Sequence, residues 1–378
     1  MSSDHDPSDW FGTTVRRGEH ASLSAVISES VAGVDVAIPV QVWRGVEPGP
    51  TVCVTAAVHG DEINGTGAIR HVIREQPFEL VRGTLVLVPV VNLLGFERHS
   101  RYLPDRRDLN RSFPGSPDGS LASRLAWSFF RQVPRRCDYG IDLHTAAVRR
   151  TNFPNVRADL SDPELAAFAR AFGAELIVDG KGPQGSLRMA ANEAGCRTLI
   201  LEAGEVWKVE PAVMDYAVRG ITNCLRFLGM VEGAPHLPRY RVETDATKWV
   251  RAEHGGFLEF HVAPGDIVAE GDPLATNAGL TGDEHFVIAA PRDGIVLGMT
   301  TMPTVAPGDP VCHLAFPRRR HLERIETVVE ERGDDSITGR VREDLARSVT
   351  VTEYDESREP EAGSASAEAP PDDAAARD

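Results

Sequence analysis

Thr51-Val52-Cys53-Val54-Thr55-Ala56-Ala57-Val58 runs straight into His59-Gly60-Asp61-Glu62. Eight nearly apolar residues with no polar alternation read as a strand buried on both faces. The same texture returns at Gly83 to Val91, Tyr139 to Leu143, Ala174 to Val178 and Thr198 to Leu201. Helical patterns fill the intervals, at Gly67 to Glu75, Ser120 to Gln132, Asp162 to Phe172 and Ser186 to Ala194. Residues 211–230 predict one more helix, opened by Pro211 in its first turn. Residues 22–47 alternate apolar and polar and predict one or two strands ahead of this series. Strands alternating with helices predict an α/β fold, a mixed, mostly parallel sheet flanked by helices.

Three of these strands end on residues that can do chemistry. In open α/β sheets, sites lie beyond the carboxyl ends of strands. His59 and Glu62 are three apart, so on a first helical turn they share a face and could grip one ion. Taken alone, an HxxE pair is as readily a polar loop. Asp142-Leu143-His144 ends a second strand. A lone histidine there is usually a satisfied core residue, but a second strand-terminal histidine changes the weighing. Two histidines and a glutamate form the three-protein-ligand set of a catalytic zinc, with Asp142 able to orient a ligand. Glu202 ends a third strand, in Leu199-Ile200-Leu201-Glu202-Ala203-Gly204, and is a general-base candidate. Its bland alternative is a rim salt bridge. The loop Arg101 to Gly115 is rich in arginine, which holds carboxylates through paired hydrogen bonds, or else is simply solvated.

Four blocks stand in order: His59-Gly60-Asp61-Glu62, Asp108-Leu109-Asn110-Arg111, Asp142-Leu143-His144-Thr145 and Glu202-Ala203-Gly204. Together they resemble the succinylglutamate desuccinylase/aspartoacylase family, the deacylase branch of the zinc carboxypeptidase superfamily. The resemblance covers residues 25–230 and is nearest the broad "predicted deacylase" group. It implies zinc, one per chain, held by His59, Glu62 and His144, with Glu202 as general base. It further implies that Asn110 and Arg111 bind the free carboxylate of the amino-acid half. Arg101 would polarise the scissile carbonyl, and Arg188 would be a further substrate arginine. The implied reaction is hydrolysis of the amide bond of a small N-acyl amino acid, succinyl, acetyl or related. Two alternatives share these residues: carboxypeptidase-like cleavage of short or glutamylated peptides, and a catalytically inactive scaffold. The scaffold predicts loss of a ligand or of the base, and all four residues are present.

From Lys248 to Phe316 the texture changes to short apolar stretches punctuated by glycine turns, a small all-β module. It resembles the half-barrel of biotinyl/lipoyl-like domains and suits the family's usual C-terminal domain. Such carriers modify a lysine, and no lysine follows Lys248, so a cap or an assembly surface is expected, the latter implying a homo-oligomer. The expected division is an N-terminal segment 1–20, a catalytic domain 21–235, a β-rich barrel 240–317, an extension 318–354 and a disordered acidic tail 355–378.

The 378 residues carry a net charge of −16, from 56 acids against 40 bases. Without the tail's net −6 the remainder still carries −10. So acidic a chain argues against nucleic-acid partners. Arginines clustered in a pocket would still focus a small anionic acylamino acid there. Only three bases are lysines (Lys181, Lys208, Lys248), which fits either a GC-rich genome or a salty cytoplasm. Five scattered cysteines without a CxxC pair predict free thiols in a reducing compartment. The polar start Met1 to Asp9 and the absence of a run of about 20 apolar residues predict a cytoplasmic chain with no membrane partner.

Overall fold

The structure is a computed structural model that describes residues 8–30, 32–281, 285–318, 337–347, 351–352 and 354. The expected tail, most of the expected 318–354 extension and residues 1–7 of the expected N-terminal segment lie outside them.

Four parallel strands form the centre of a large mixed sheet. In spatial order they are Arg82–Val88, Glu47–Ala56, Tyr139–His144 and Arg197–Gly204. Each is buried on both faces, as their unbroken apolar runs require. The alternating segment becomes two antiparallel strands, His20–Glu29 and Asp35–Arg44, which extend the sheet beyond Arg82–Val88. Both alternate buried and more exposed residues along most of their length, the pattern of strands packed chiefly on one face, and only Trp43 is buried on the other.

The helices fall where the periodicity puts them, at Asn64–Glu75, Leu121–Gln132, Pro163–Phe172, Leu187–Glu193 and Pro211–Phe227. Their starts are chemically marked. Ser120, Asp162 and Ser186 each accept a backbone N–H of their helix's first turn, satisfying donors that would otherwise be orphaned. Pro163 and Pro211 occupy the first turn, where a missing N–H costs nothing.

Two cores sandwich the sheet. One face packs Ile69, Val72, Phe168, Phe172, Tyr216 and Ile221 from three helices, and Val341 and Leu345 of helix Ile337–Ala346 join them. The other face packs Leu125, Phe129, Leu187 and Ala191. Among the described residues, no helix is long and apolar enough to cross a membrane.

The sheet does not stop at the Glu202 strand. Arg150–Ala158 pairs antiparallel with it, and Gly294–Thr300 pairs antiparallel with Arg150–Ala158. Pro310–Ala315 and Thr247–Arg251 follow, so the glycine-punctuated C-terminal region is hydrogen-bonded into the catalytic sheet. A separate four-stranded sheet (His285–Ala289, Pro273–Ala278, Gly256–Phe260, Thr304–Val305) completes that region. The strand at 150–158 was not among the sequence expectations. Its Arg-Thr-Asn-Phe-Pro-Asn-Val-Arg-Ala run buries polar residues on both faces and so shows no period of two.

Candidate active site

His59, Glu62 and His144 meet at the carboxyl ends of adjacent parallel strands. Ala56 is in register with Leu143, and His144 with Glu202, so three strand ends bring the three chemical blocks level. The turn carrying His59 is tight: Ala57 takes a left-handed φ of 50°. Gly60 is needed for contact, since a Cβ there would stand 2.1 Å from the Gly95 carbonyl carbon and 2.2 Å from the Phe96 nitrogen.

Glu62 is the hub. Its Oε1 lies 2.6 Å from His59 Nδ1, and its Oε2 lies 2.8 Å from His144 Nδ1. It also accepts from Arg101 Nη1 at 3.2 Å and from the Thr145 backbone N–H at 3.1 Å. The potential ligand atoms of the three residues all lie within 4.8 Å of one another, and all three residues are buried. Both histidines point Nδ1 inward and give Nε2 to a second carboxylate. His144 Nε2 is 2.8 Å from Asp142, and His59 Nε2 is 3.2 Å from Asp108. Asp142 is fully buried and also accepts from the Thr55 hydroxyl at 2.6 Å. A carboxylate on the outer nitrogen fixes the ring and raises the basicity of the inner one, as at metal centres.

The titration behaviour follows. Burial alone would discharge both histidines, but Glu62 with Asp108 raises His59, and Asp142 with Glu62 raises His144 well above the ordinary value. Burial likewise opposes ionisation of Glu62, yet the two histidines hold its carboxyl well below the usual range. Asp108 is depressed in the same way, against burial, by His59 and Arg101. The two Nδ1 atoms and the Glu62 carboxylate face one another at a single centre, where a dication would sit. Two imidazole nitrogens and one carboxylate, backed by two outer carboxylates, fit zinc.

The remaining candidates surround this cluster. Arg101 is half-buried and bridges Glu62 and Asp108, reaching Asp108 Oδ2 at 3.0 Å. Glu202 is half-buried on the strand beside His144, and its Oε2 accepts from Asn152 Nδ2 at 3.1 Å. Arg188 is buried, with Nε and Nη1 lacking any hydrogen-bond partner. Burial first, then the nearby Arg157, pushes it down to about 10, while Glu202 and Asp142 oppose that fall. Gly182 leaves room for its guanidinium, since a Cβ would lie 2.7 Å from Nη2. Arg111 is exposed and bonds the Asn110 carbonyl at 3.0 Å. The Asn110 amide oxygen accepts the Leu187 N–H at 2.8 Å, so it ties the arginine loop to the helix that carries Arg188. Sequence reading did not single out Asp108 as the His59 partner, nor Thr55 or Asn152; Asp108 carried a signal as the head of the Asp-Leu-Asn-Arg block, and Asn152 only as part of the stretch Thr151 to Arg157, which follows the His144 strand and could line a pocket.

A buried, carboxylate-backed His-Glu-His cluster at the strand ends of a mixed α/β sheet is a set of residues that could hold a metal ion. The sequence profile of the succinylglutamate desuccinylase/aspartoacylase catalytic domain matches residues 48–228. The chain is 31% identical over 316 residues to the N-alpha-acetyl-L-2,4-diaminobutyric acid deacetylase of Halomonas elongata, covering 79% of this chain and 91% of that protein. A succinylglutamate desuccinylase from Silicibacter superposes with a TM-score of 0.71 at 27% identity, over 80% of this chain and 96% of the other. The product-bound ectoine utilization protein of Ruegeria pomeroyi gives 0.71 at 28%, over 82% and 97%. The chain belongs to the succinylglutamate desuccinylase/aspartoacylase family.

Proposed function

We propose that this protein hydrolyses the amide bond of a small N-acyl amino acid, with one zinc held by His59, Glu62 and His144. The observation that carries the reading is the placement of Glu202 in register with His144, beside a cluster whose two Nδ1 atoms face one centre. A zinc held by these three residues would supply a Lewis acid for the scissile carbonyl and would lower the pKa of bound water to about 7.

The chain's own residues do the rest. Glu202 takes the proton from the attacking water and passes it to the departing nitrogen. Arg101, already at the cluster, faces the charge that develops on the carbonyl oxygen. Arg188 is a buried cation with free donors, and the substrate carboxylate supplies the counter-charge it lacks. Arg111 and the amide nitrogen of Asn110 complete the grip on that carboxylate. Five buried, unpaired cysteines suit a reducing compartment and support a cytoplasmic setting. The C-terminal sheet is the surface through which a homo-oligomer would form.

The test is a hydrolysis panel with metal content measured on the same sample. It holds N-acetyl and N-succinyl amino acids, Nα-acetyl-L-2,4-diaminobutyrate first because of the Halomonas relative, beside dipeptides. About one zinc per chain and chelator-sensitive turnover of acylamino acids is expected. Glu202→Gln should retain zinc and lose most turnover. Turnover confined to dipeptides, or unchanged in Glu202→Gln, overturns the reading.

A further inference from the structure

Asn152 lies where the two halves of the molecule join. Its strand runs between two others, with Gly204 of the Glu202 strand opposite it on one side and Gly298 opposite it on the other. The side chain is buried. Its amide nitrogen donates to Glu202 Oε2 at 3.1 Å. Its amide oxygen fills the space over Gly298, where a Cβ would stand 2.5 Å away, and 2.7 Å from the Thr151 carbonyl oxygen. The amide cannot be turned round, because its oxygen would then face a carboxylate oxygen. The same strand supplies a second hold: Asn155 Nδ2 donates to the Glu202 backbone carbonyl at 3.3 Å.

We propose that Asn152 is a positioning residue for Glu202, and that the missing side chain at Gly298 in the C-terminal sheet is what seats it. The proposal rests on the reading of Glu202 as the general base. A base must sit within hydrogen-bond reach of the proton it takes, and a displacement of about 1 Å costs on the order of 100-fold. Glu202 is half-buried at a strand end, where its side-chain torsions are otherwise free to vary. One bond to Oε2 fixes the carboxylate and leaves Oε1 free for the reacting proton. The donor comes from a strand whose other neighbour is C-terminal, so the C-terminal sheet contributes to catalysis without touching substrate.

The experiment uses the zinc-loaded full-length protein and the best N-acyl amino acid of the panel. Asn152→Asp keeps the shape and replaces the donor with an acceptor; Asn152→Ala removes both contacts; Gly298→Ala intrudes on the amide from the C-terminal side. Each should lower kcat by about 10- to 100-fold with KM within about twofold and zinc content unchanged. In a Glu202→Gln background, Asn152→Ala should add less than about a twofold further loss, because it acts only through that carboxylate. An unchanged kcat in Asn152→Asp and Asn152→Ala overturns the proposal. So does a loss of equal factor in both backgrounds, which would mean that Asn152 acts on substrate or on the fold. Full turnover in Glu202→Gln alone would instead remove the reading beneath it, so the two failures are distinct.

Discussion

Asp142 offers the sharpest test of how the cluster is held. Its two oxygens accept from His144 Nε2 at 2.8 Å and from the Thr55 hydroxyl at 2.6 Å, with no solvent access. The first bond keeps the proton on Nε2 and leaves the Nδ1 lone pair for a cation. Asp142→Asn preserves volume and can still accept from His144, but the bond is then between neutral partners. A charge-assisted bond is about twice as strong as a neutral one, so the loss is about 1 to 1.5 kcal/mol, or roughly tenfold in zinc affinity. Asp142→Ala leaves His144 without an outer acceptor and free to carry its proton inward, and about 2 to 2.8 kcal/mol, roughly 30- to 100-fold, is expected. Thr55→Val deletes only the far partner and should cost less than either. Zinc affinity is read by competition with a chromophoric chelator at fixed pH, and turnover on the same samples. If Asp142→Asn and Asp142→Ala bind zinc as tightly as the parent, the outer carboxylate does not tune the histidine and the reasoning fails.

Three further outcomes follow from the same geometry. His59 and His144 are raised from 6.5, so their contribution to stability is complete below about 6.5 and fades as pH climbs through the raised values; Glu62 and Asp108 are depressed, so theirs is in place above about 4.5 and fades as pH falls through the lowered ones. Thermal unfolding of chelator-stripped protein should show this site's contribution largest between about pH 4.5 and 6.5, while the gain in Tm on adding zinc should grow above that range as fewer protons compete; a gain independent of pH would contradict it. Gly60→Ala must push apart two backbone segments, and a loss of at least about 3 kcal/mol in denaturant unfolding is expected, where a loss under about 1 would show that the turn yields. Arg188→Met replaces a buried cation lacking partners, so Tm should stay level or rise while kcat/KM for an acylamino acid falls at least about tenfold; unchanged kcat/KM would take Arg188 out of the substrate grip.

What could be read in advance divides along physical lines. Strands such as Glu47–Ala56 announce themselves because burial on both faces demands an unbroken apolar run. His59, His144 and Glu202 stand out because the topology puts strand ends together, and polar residues there interrupt apolar runs. Asp142 was visible as a neighbour of His144, though its bond to Thr55 was not. The strand Arg150–Ala158 was hidden because it buries Thr151, Asn152 and Asn155 instead of alternating. The pairing of Asn152 with Gly298 spans nearly 150 positions, and no local pattern encodes such a partner. Asn110 carried a motif, yet its oxygen turned out to be engaged with the Leu187 N–H, a tie that sequence spacing cannot reveal.

The unbroken ladder from the Glu202 strand through Arg150–Ala158 into Gly294–Thr300 leaves nowhere to cut the molecule. Removing the C-terminal half would strip residues 150–152 of a neighbour and leave that stretch a bare edge, open to pairing with any other exposed strand, while 156–158 keep their pairing with Leu176–Asp179. Positions 152, 204 and 298 form one cross-strand row, so a change at any of them is felt by the other two. A chimera that borrows its C-terminal half from a relative therefore imports the neighbour against which Asn152 is seated, and the two halves must be inherited together.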